Sequence, residues 1–265
     1  MGENKIRSIS LDDGRSFKKA FLRWEWMLVL LLIAVNVMNI AISPNYLNTK
    51  NLASTMKIYL DKGIVAITMT MVLLLGEIDI SVGSMMALSG TIMGLVGNAG
   101  GNFLEVALAG LLTGTLCGFF NGFLITRFTE LSSTIITLAN QIFFRGIALV
   151  ILENRAYAEF PAGVKFMSWG SVFNVPFILV FFLLEVIGIT YLVHFTTFGR
   201  SLFAMGRNIK ASYYSGVKTD QIKIAVFTMN GMAASISSLF LISKLASARA
   251  NMAKNYDMDI SATRS

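Results

Sequence analysis

Apolar residues in this chain gather in long, nearly unbroken runs, without the alternating or three-to-four spacing of elements that face water on one side. Seven runs stand out, at 26–42, 63–75, 82–96, 103–125, 132–152, 175–197 and 224–245. A crossing of the hydrocarbon core takes about 20 mostly apolar residues. Hydrocarbon offers no partner to open backbone groups, so each run is expected to be a helix. The pattern predicts an all-α polytopic membrane bundle at 26–245, preceded by a polar segment at 1–25 and followed by a tail at 246–265. The first run has basic residues before it and Ala41-Ile42-Ser43 at its end, as a cleaved leader would. Its 17 residues, the Pro44 that follows and the six later runs make it a retained first span.

Two of the runs are short, with 13 residues at 63–75 and 15 at 82–96, and Gly76-Glu77-Ile78-Asp79-Ile80-Ser81 lies between them with Gly83 just after. Short, glycine-interrupted segments flanking a polar break fit a discontinuous helix lining a transport pathway. A tight cytoplasmic turn between two tilted spans fits equally. In either case Ser81 is expected to cap the third span, with Asp79 favourably near its positive end.

Composition agrees with the pattern. Hydrophobic residues make up 55% of the 265 and charged residues 14%, against about 25% charged in soluble domains. The net charge of +7 is not massed as a nucleic-acid face would require, because apolar runs separate the basic residues. Eleven of the 22 basic residues lie in two places: Lys5, Arg7, Arg15, Lys18, Lys19 and Arg23, and then Arg200, Arg207, Lys210, Lys218 and Lys223 in the loop 198–223. Six spans separate the two clusters, so both fall on one side, which the positive-inside rule makes the cytoplasm. Lys50, Lys57 and Lys62, placed outside, count mildly against this orientation.

Within the spans, Gly110, Gly114, Gly118 and Gly122 recur every fourth residue and form a slowly drifting groove for a neighbouring helix, in this chain or in another subunit. Glu185 and Arg145 are costly intramembrane charges at similar depth, about 0.57 and 0.62 of the way from the inner end if the helices rise evenly. They are expected to pair or to face a common wet cavity. Asn121, Asn140, Gln141 and Asn230 suit either interhelical hydrogen bonding or pathway lining. His194 reads as interfacial, and Cys117 as a buried inert thiol. One histidine and one cysteine leave no His- or Cys-based metal site, and no cofactor or catalytic group is expected. Glu77 with Asp79 alone makes a weak case for an intramembrane enzyme.

In the loop after the sixth run, Asn208 is a good helix N-cap and Gly216 suits a left-handed C-terminal position, so a short helix is expected over 209–215. Three signatures here resemble those of the ribose-type permeases, the membrane subunits of bacterial ABC importers for simple sugars and the related autoinducer-2. The first is Phe198-Gly199-Arg200, then Gly206-Arg207-Asn208, then Ala211-Ser212-Tyr213-Tyr214-Ser215-Gly216-Val217. The second is Gly76-Glu77-Ile78-Asp79-Ile80-Ser81-Val82-Gly83-Ser84, and the third Asn121-Gly122-Phe123-Leu124-Ile125 with Thr137-Leu138 and Arg145-Gly146.

The resemblance implies ten spans in the inner membrane, a second permease copy or homologue, an external sugar-binding protein and a separate cytoplasmic ATPase. The ATPase would contact the loop carrying Gly199, Arg200, Gly206, Asn208, Ala211, Ser215 and Gly216. Gly76, Asp79, Ser81, Gly83 and Asn121 would belong to the pathway or its helix break. No Gly-x-x-x-x-Gly-Lys-Ser/Thr occurs, so ATP hydrolysis is expected elsewhere. The chain departs from the family in several places. Glu77 replaces a glycine, the fifth span lacks a proline at 132–139, and Ile209-Lys210 replaces an acidic pair, which implies a dedicated ATPase partner. The family continues through about three more spans beyond Asp259, so a C-terminal truncation is expected. The alternative reading is a membrane scaffold that keeps the ATPase contact without transporting.

Overall fold

The computed structural model describes residues 24–43, 46–153, 155–172 and 175–253. The basic cluster at 5–23 and most of the tail lie outside the described residues. Two units are distinguished, Met1–Leu52 and Ala53–Ser265. Helix α1 (Trp24–Ile42) lies in the first. Helix α2 (Thr49–Leu74) leads into the second, which continues with α3 (Val82–Asn98), α4 (Phe103–Arg127), α5 (Ser133–Leu152) and α6 (Ala162–Trp169). A two-residue hairpin, β1 (Ser171–Val172) and β2 (Val175–Pro176), precedes α7 (Phe177–Phe195), α8 (Thr197–Arg207), α9 (Ile209–Tyr214) and α10 (Thr219–Leu245).

This is the expected all-α polytopic bundle. Phe103–Arg127, Ser133–Leu152, Phe177–Phe195 and Thr219–Leu245 are long and apolar enough to cross a membrane, while Trp26–Ile42 and Val82–Asn98 are apolar but shorter. The run at 63–75 is corrected: it is the second half of the 26-residue helix α2. Between Pro44 and Gly63 the sequence holds no proline or glycine to stop a helix, so the helix starts well before its apolar half. At 1.5 Å per residue α2 is about 39 Å long, so it is not a half-helix.

Helix α3 is the inner helix, and each residue from 82 through 91 is buried. Helices α4, α5 and α10 pack around it. The glycine groove of α4 receives α10, so it serves contact within the chain. A Cβ at Gly118 would stand 3.0 Å from the Gly231 backbone and closer still to the Phe227 carbonyl, and one at Gly114 would meet the Gly231 carbonyl and Ser235. Small residues bring the two backbones together, and dispersion between them replaces the hydrophobic effect that is missing in lipid. The hydroxyls of Thr113, Thr115 and Thr228 donate to carbonyls four residues back, which leaves them satisfied inside apolar helices.

Helix α4 starts in a reciprocal capping box: the Asn102 side chain accepts from Glu105 N at 3.0 Å, and Glu105 Oε2 accepts from Asn102 N at 2.9 Å. After α10, Ala246 turns the backbone left-handed (φ 50°). The chain then folds back beside α3, pairing Ala248 with Tyr157 and covering Gly90 and Gly94 with Met252 and Ala248.

Candidate functional site

The break between α2 and α3 is where the polar residues of the bundle converge. Helix α2 closes with Gly76 in the left-handed region (φ 76°), its N–H donating to the Leu73 carbonyl and that of Glu77 to the Val72 carbonyl. This double bond pattern satisfies the last carbonyls and points the chain away from the helix axis. Gly76 therefore serves the turn itself. From there the backbone is held by α5: Ile78 N donates to Ser133 Oγ (3.3 Å) and Ile80 N to Thr137 Oγ1 (3.2 Å).

Asp79 is 2% exposed and gathers three donors. Its Oδ1 accepts from Ser81 N (2.9 Å) and Ser81 Oγ (2.7 Å), and its Oδ2 accepts from Asn230 Nδ2 (2.9 Å). Two chains of donors end on this carboxylate. One runs from Asn140 Nδ2 to Asn121 Oδ1 (2.7 Å), from Asn121 Nδ2 to Ser81 Oγ (2.7 Å), and on to Asp79. The other runs from Thr68 Oγ1 to Asn230 Oδ1 (3.1 Å) and on to Asp79. Four helices, α2, α4, α5 and α10, are thereby tied to the break in front of α3, and each bond in such a series polarises the next.

Several expectations change here. Ser81 does not cap α3, because its hydroxyl is committed to Asp79 and Asn121. The Asp79 carboxylate takes the Ser81 backbone N–H instead. Asp79 and Ser81 are buried within the bundle. Gly83 is buried in the first turn of α3. Asn121 bonds to Ser81 at the break, and Asn140, Asn230, Thr68 and Thr137 join the same network. Asn140 and Asn230 were visible as polar residues in spans and Thr137 as part of the third signature, whereas nothing in the sequence marked Thr68.

Two ion pairs frame the seam between α2 and α10. Lys223 Nζ lies 2.5 Å from Glu77 Oε1 at the start of α10, and Lys244 Nζ lies 2.7 Å from Asp61 Oδ2 at its end. Asp61 is 1% exposed, and the Ser237 hydroxyl donates to its carbonyl. Sequence reasoning missed both pairs, the second because it left residues 44–62 outside the spans. The uninterrupted stretch after Pro44 was the signal that a helix extends there.

The expected Arg145–Glu185 pair does not form among the described residues. Arg145 Nη1 donates to the Ala250 carbonyl at 2.9 Å, in the segment that folds back after α10. Glu185 Oε2 is buried with no hydrogen-bond partner. The two residues match in depth, but α5 packs on α3 and α4, whereas α7 packs on α6 and α8.

The expected loop 198–223 holds two helices, α8 and α9, and its last five residues are already the start of α10. Asn208 Oδ1 accepts from Ala211 N (3.0 Å) and opens α9, and Gly216 (φ 85°) turns the chain out of it. Before it, Thr196 Oγ1 accepts from Gly199 N (3.3 Å) and opens α8. Gly199 and Gly206 are contact positions, since a Cβ would strike the Val193 carbonyl at one and the Leu74 carbonyl, at the end of α2, at the other. Arg200, Ala211 and Ser215 are exposed. So are Tyr213 and Tyr214, at 64% and 86%. His194 meets the Thr190 carbonyl at 3.1 Å and sets its ring edge to Phe203.

Residues 48–263 match the model of a family described as "Branched-chain amino acid transport system / permease component". The chain belongs to this permease family. Among its relatives, the ribose import permease of Escherichia coli K12 is 28% identical over 92% of this chain and 77% of its own length. That of Bacillus subtilis is 29% identical over 88% of this chain and 71% of its own. The autoinducer 2 import system permease of Yersinia pseudotuberculosis YPIII is 33% identical over 69% of this chain and 52% of its own. No solved structure matches. Membership makes this multi-pass chain a transport subunit.

Proposed function

We propose that this chain is the membrane-spanning subunit of an ATP-driven importer of a ribose-like monosaccharide in a bacterial inner membrane, with its N-terminus in the cytoplasm. The observation that carries the reading is similarity to ribose import permeases over 88% to 92% of the chain. In this reading a separate ATPase docks on α8–α9, where Arg200, Lys210, Tyr213 and Tyr214 are exposed. An external binding protein delivers the sugar, and a second permease copy or homologue completes the pathway. The residues around Asp79 act as a fulcrum between helices rather than as a sugar subsite, because each of Thr68, Asp79, Ser81, Asn121 and Asn230 is buried and already hydrogen-bonded within the bundle.

Autoinducer-2 is the second substrate reading, favoured by the 33% identity of the Yersinia relative. Purification of the chain from native membranes, reconstitution of the intact complex in vesicles, and ATP-dependent uptake of labelled ribose with unlabelled autoinducer-2 as competitor test both. Ribose accumulation that autoinducer-2 leaves untouched is the expected result. Copurification without an ATPase, or a complex that hydrolyses ATP and accumulates neither compound, overturns the import reading and leaves a scaffold.

A further inference from the structure

The Glu77–Lys223 ion pair sits between the first turns of α10 and the break in front of α3. Lys223 is in the second turn of α10, just after the α8–α9 element, and Glu77 is the first residue past the left-handed Gly76. Both side chains are only 17% exposed. Seven residues further along α10 is Asn230, the donor to Asp79. Seven steps of a helix turn almost twice, so Lys223 and Asn230 lie on one face, about 10.5 Å apart along the axis. Helix α10 therefore grips the break at two points: Lys223 holds Glu77, and Asn230 holds Asp79 two residues on. On the other flank, Gly206 of α8 lies against the Leu74 carbonyl, two residues before the break.

We propose that Glu77 and Lys223 are positioning residues that make the Asp79 break follow α10 when α8–α9 moves. With both grips in place, a slide or rotation of α10 carries the break as one body and shifts all the donors converging on Asp79. With the ion pair gone, the break swings about the single Asn230–Asp79 contact, and motion at α8–α9 is absorbed locally. This inference rests on reading α8–α9 as the ATPase-docking element, and its test has one arm that does not depend on that reading.

The variants are Glu77→Gln, Lys223→Met and the exchange Glu77→Lys with Lys223→Glu, each in the full chain and complex, with thermal melting to check assembly. The first arm measures ribose taken up per ATP hydrolysed in vesicles. Loss of a charge-assisted contact is expected to lower that ratio about tenfold in each single variant while ATP hydrolysis persists. The exchange variant is expected to recover most of it. The second arm measures amide hydrogen exchange over residues 76–81 in the chain alone in nanodiscs, where the single variants should exchange faster and the exchange variant should regain protection. An exchange variant no better than either single one, or single variants with the wild-type ratio and wild-type protection, overturns the proposal. A wild-type complex that carries no ribose defeats the import reading instead, and the second arm then decides the grip alone. Should a single variant fail to assemble, the exchanged pair carries both arms.

Discussion

Gly118→Ala adds one methyl group at the closest approach of α4 and α10. The new carbon would stand 3.0 Å from the nitrogen and Cα of Gly231 and closer to the Phe227 carbonyl oxygen. All three are backbone atoms, so no rotamer change relieves the contact, and the helices must separate. A gap of roughly half an ångström already forfeits about a quarter of each dispersion well along the seam, and overpacking of this kind costs about 1–3 kcal/mol. Alanine itself favours a helix over glycine by about 0.8–1 kcal/mol. Gly188→Ala isolates that second effect, because nothing lies within 4 Å of a Cβ there. The two variants should therefore differ by the overpacking cost alone, which for a chain of this size is roughly 2–12 °C in melting midpoint. Thermal unfolding in nanodiscs, followed by loss of the monodisperse species, reads the difference. Gly188→Ala should melt above the wild type and Gly118→Ala well below Gly188→Ala. If Gly118→Ala melts at or above Gly188→Ala, the close approach of α4 and α10 is wrong.

Asp79→Ala removes the shared terminus of two hydrogen-bond chains and should cost about 1–3 kcal/mol for each donor left unsatisfied. Asp79→Asn should cost far less, because the Asn230 amide can flip to face it while Thr68 accepts the freed N–H; equal melting of the two variants would contradict this. Lys244→Ala removes a cation 2.7 Å from the buried Asp61 carboxylate and should lower the melting midpoint in thermal unfolding, and adding Asp61→Asn should recover part of the loss. Combining Arg145→Glu with Glu185→Arg should assemble no better than the worse single variant, as judged by size exclusion, since the two side chains have different surroundings; mutual rescue would show that they pair.

What the sequence revealed was one-dimensional. Hydropathy located the apolar cores of the spans, and the four-residue glycine period identified which face of α4 is bare. The partner of that face could not be read, because periodicity describes one helix at a time. Arg145 and Glu185 show the same limit: equal depth follows from counting residues, but adjacency depends on how α3, α4, α6 and α8 are distributed between them. The Asn208 cap and the Gly216 turn were legible because their chemistry is local. So was the Asn102–Glu105 capping box, whose spacing is present in the sequence and was overlooked. Helix α6 and the β1–β2 hairpin left no comparable sign, since the stretch 153–174 mixes aromatic, charged and small residues without a period.

The α4–α10 seam also sets a schedule. Gly114 and Gly231 are 117 positions apart, and at 5–20 residues per second about 6 to 23 s of synthesis separate them. Once α5 is made, 38 residues after Gly114 and 79 before Gly231, α3, α4 and α5 are available to one another, and Asn140, Asn121 and Ser81 can line up on one oxygen of Asp79. The other oxygen waits for Asn230, and the glycine groove stands open to lipid. The arrival of α10 thus closes the groove and completes the carboxylate's hydrogen bonding in one step, so a nascent chain arrested before residue 231 displays an unfilled groove and an aspartate with one oxygen still without Asn230.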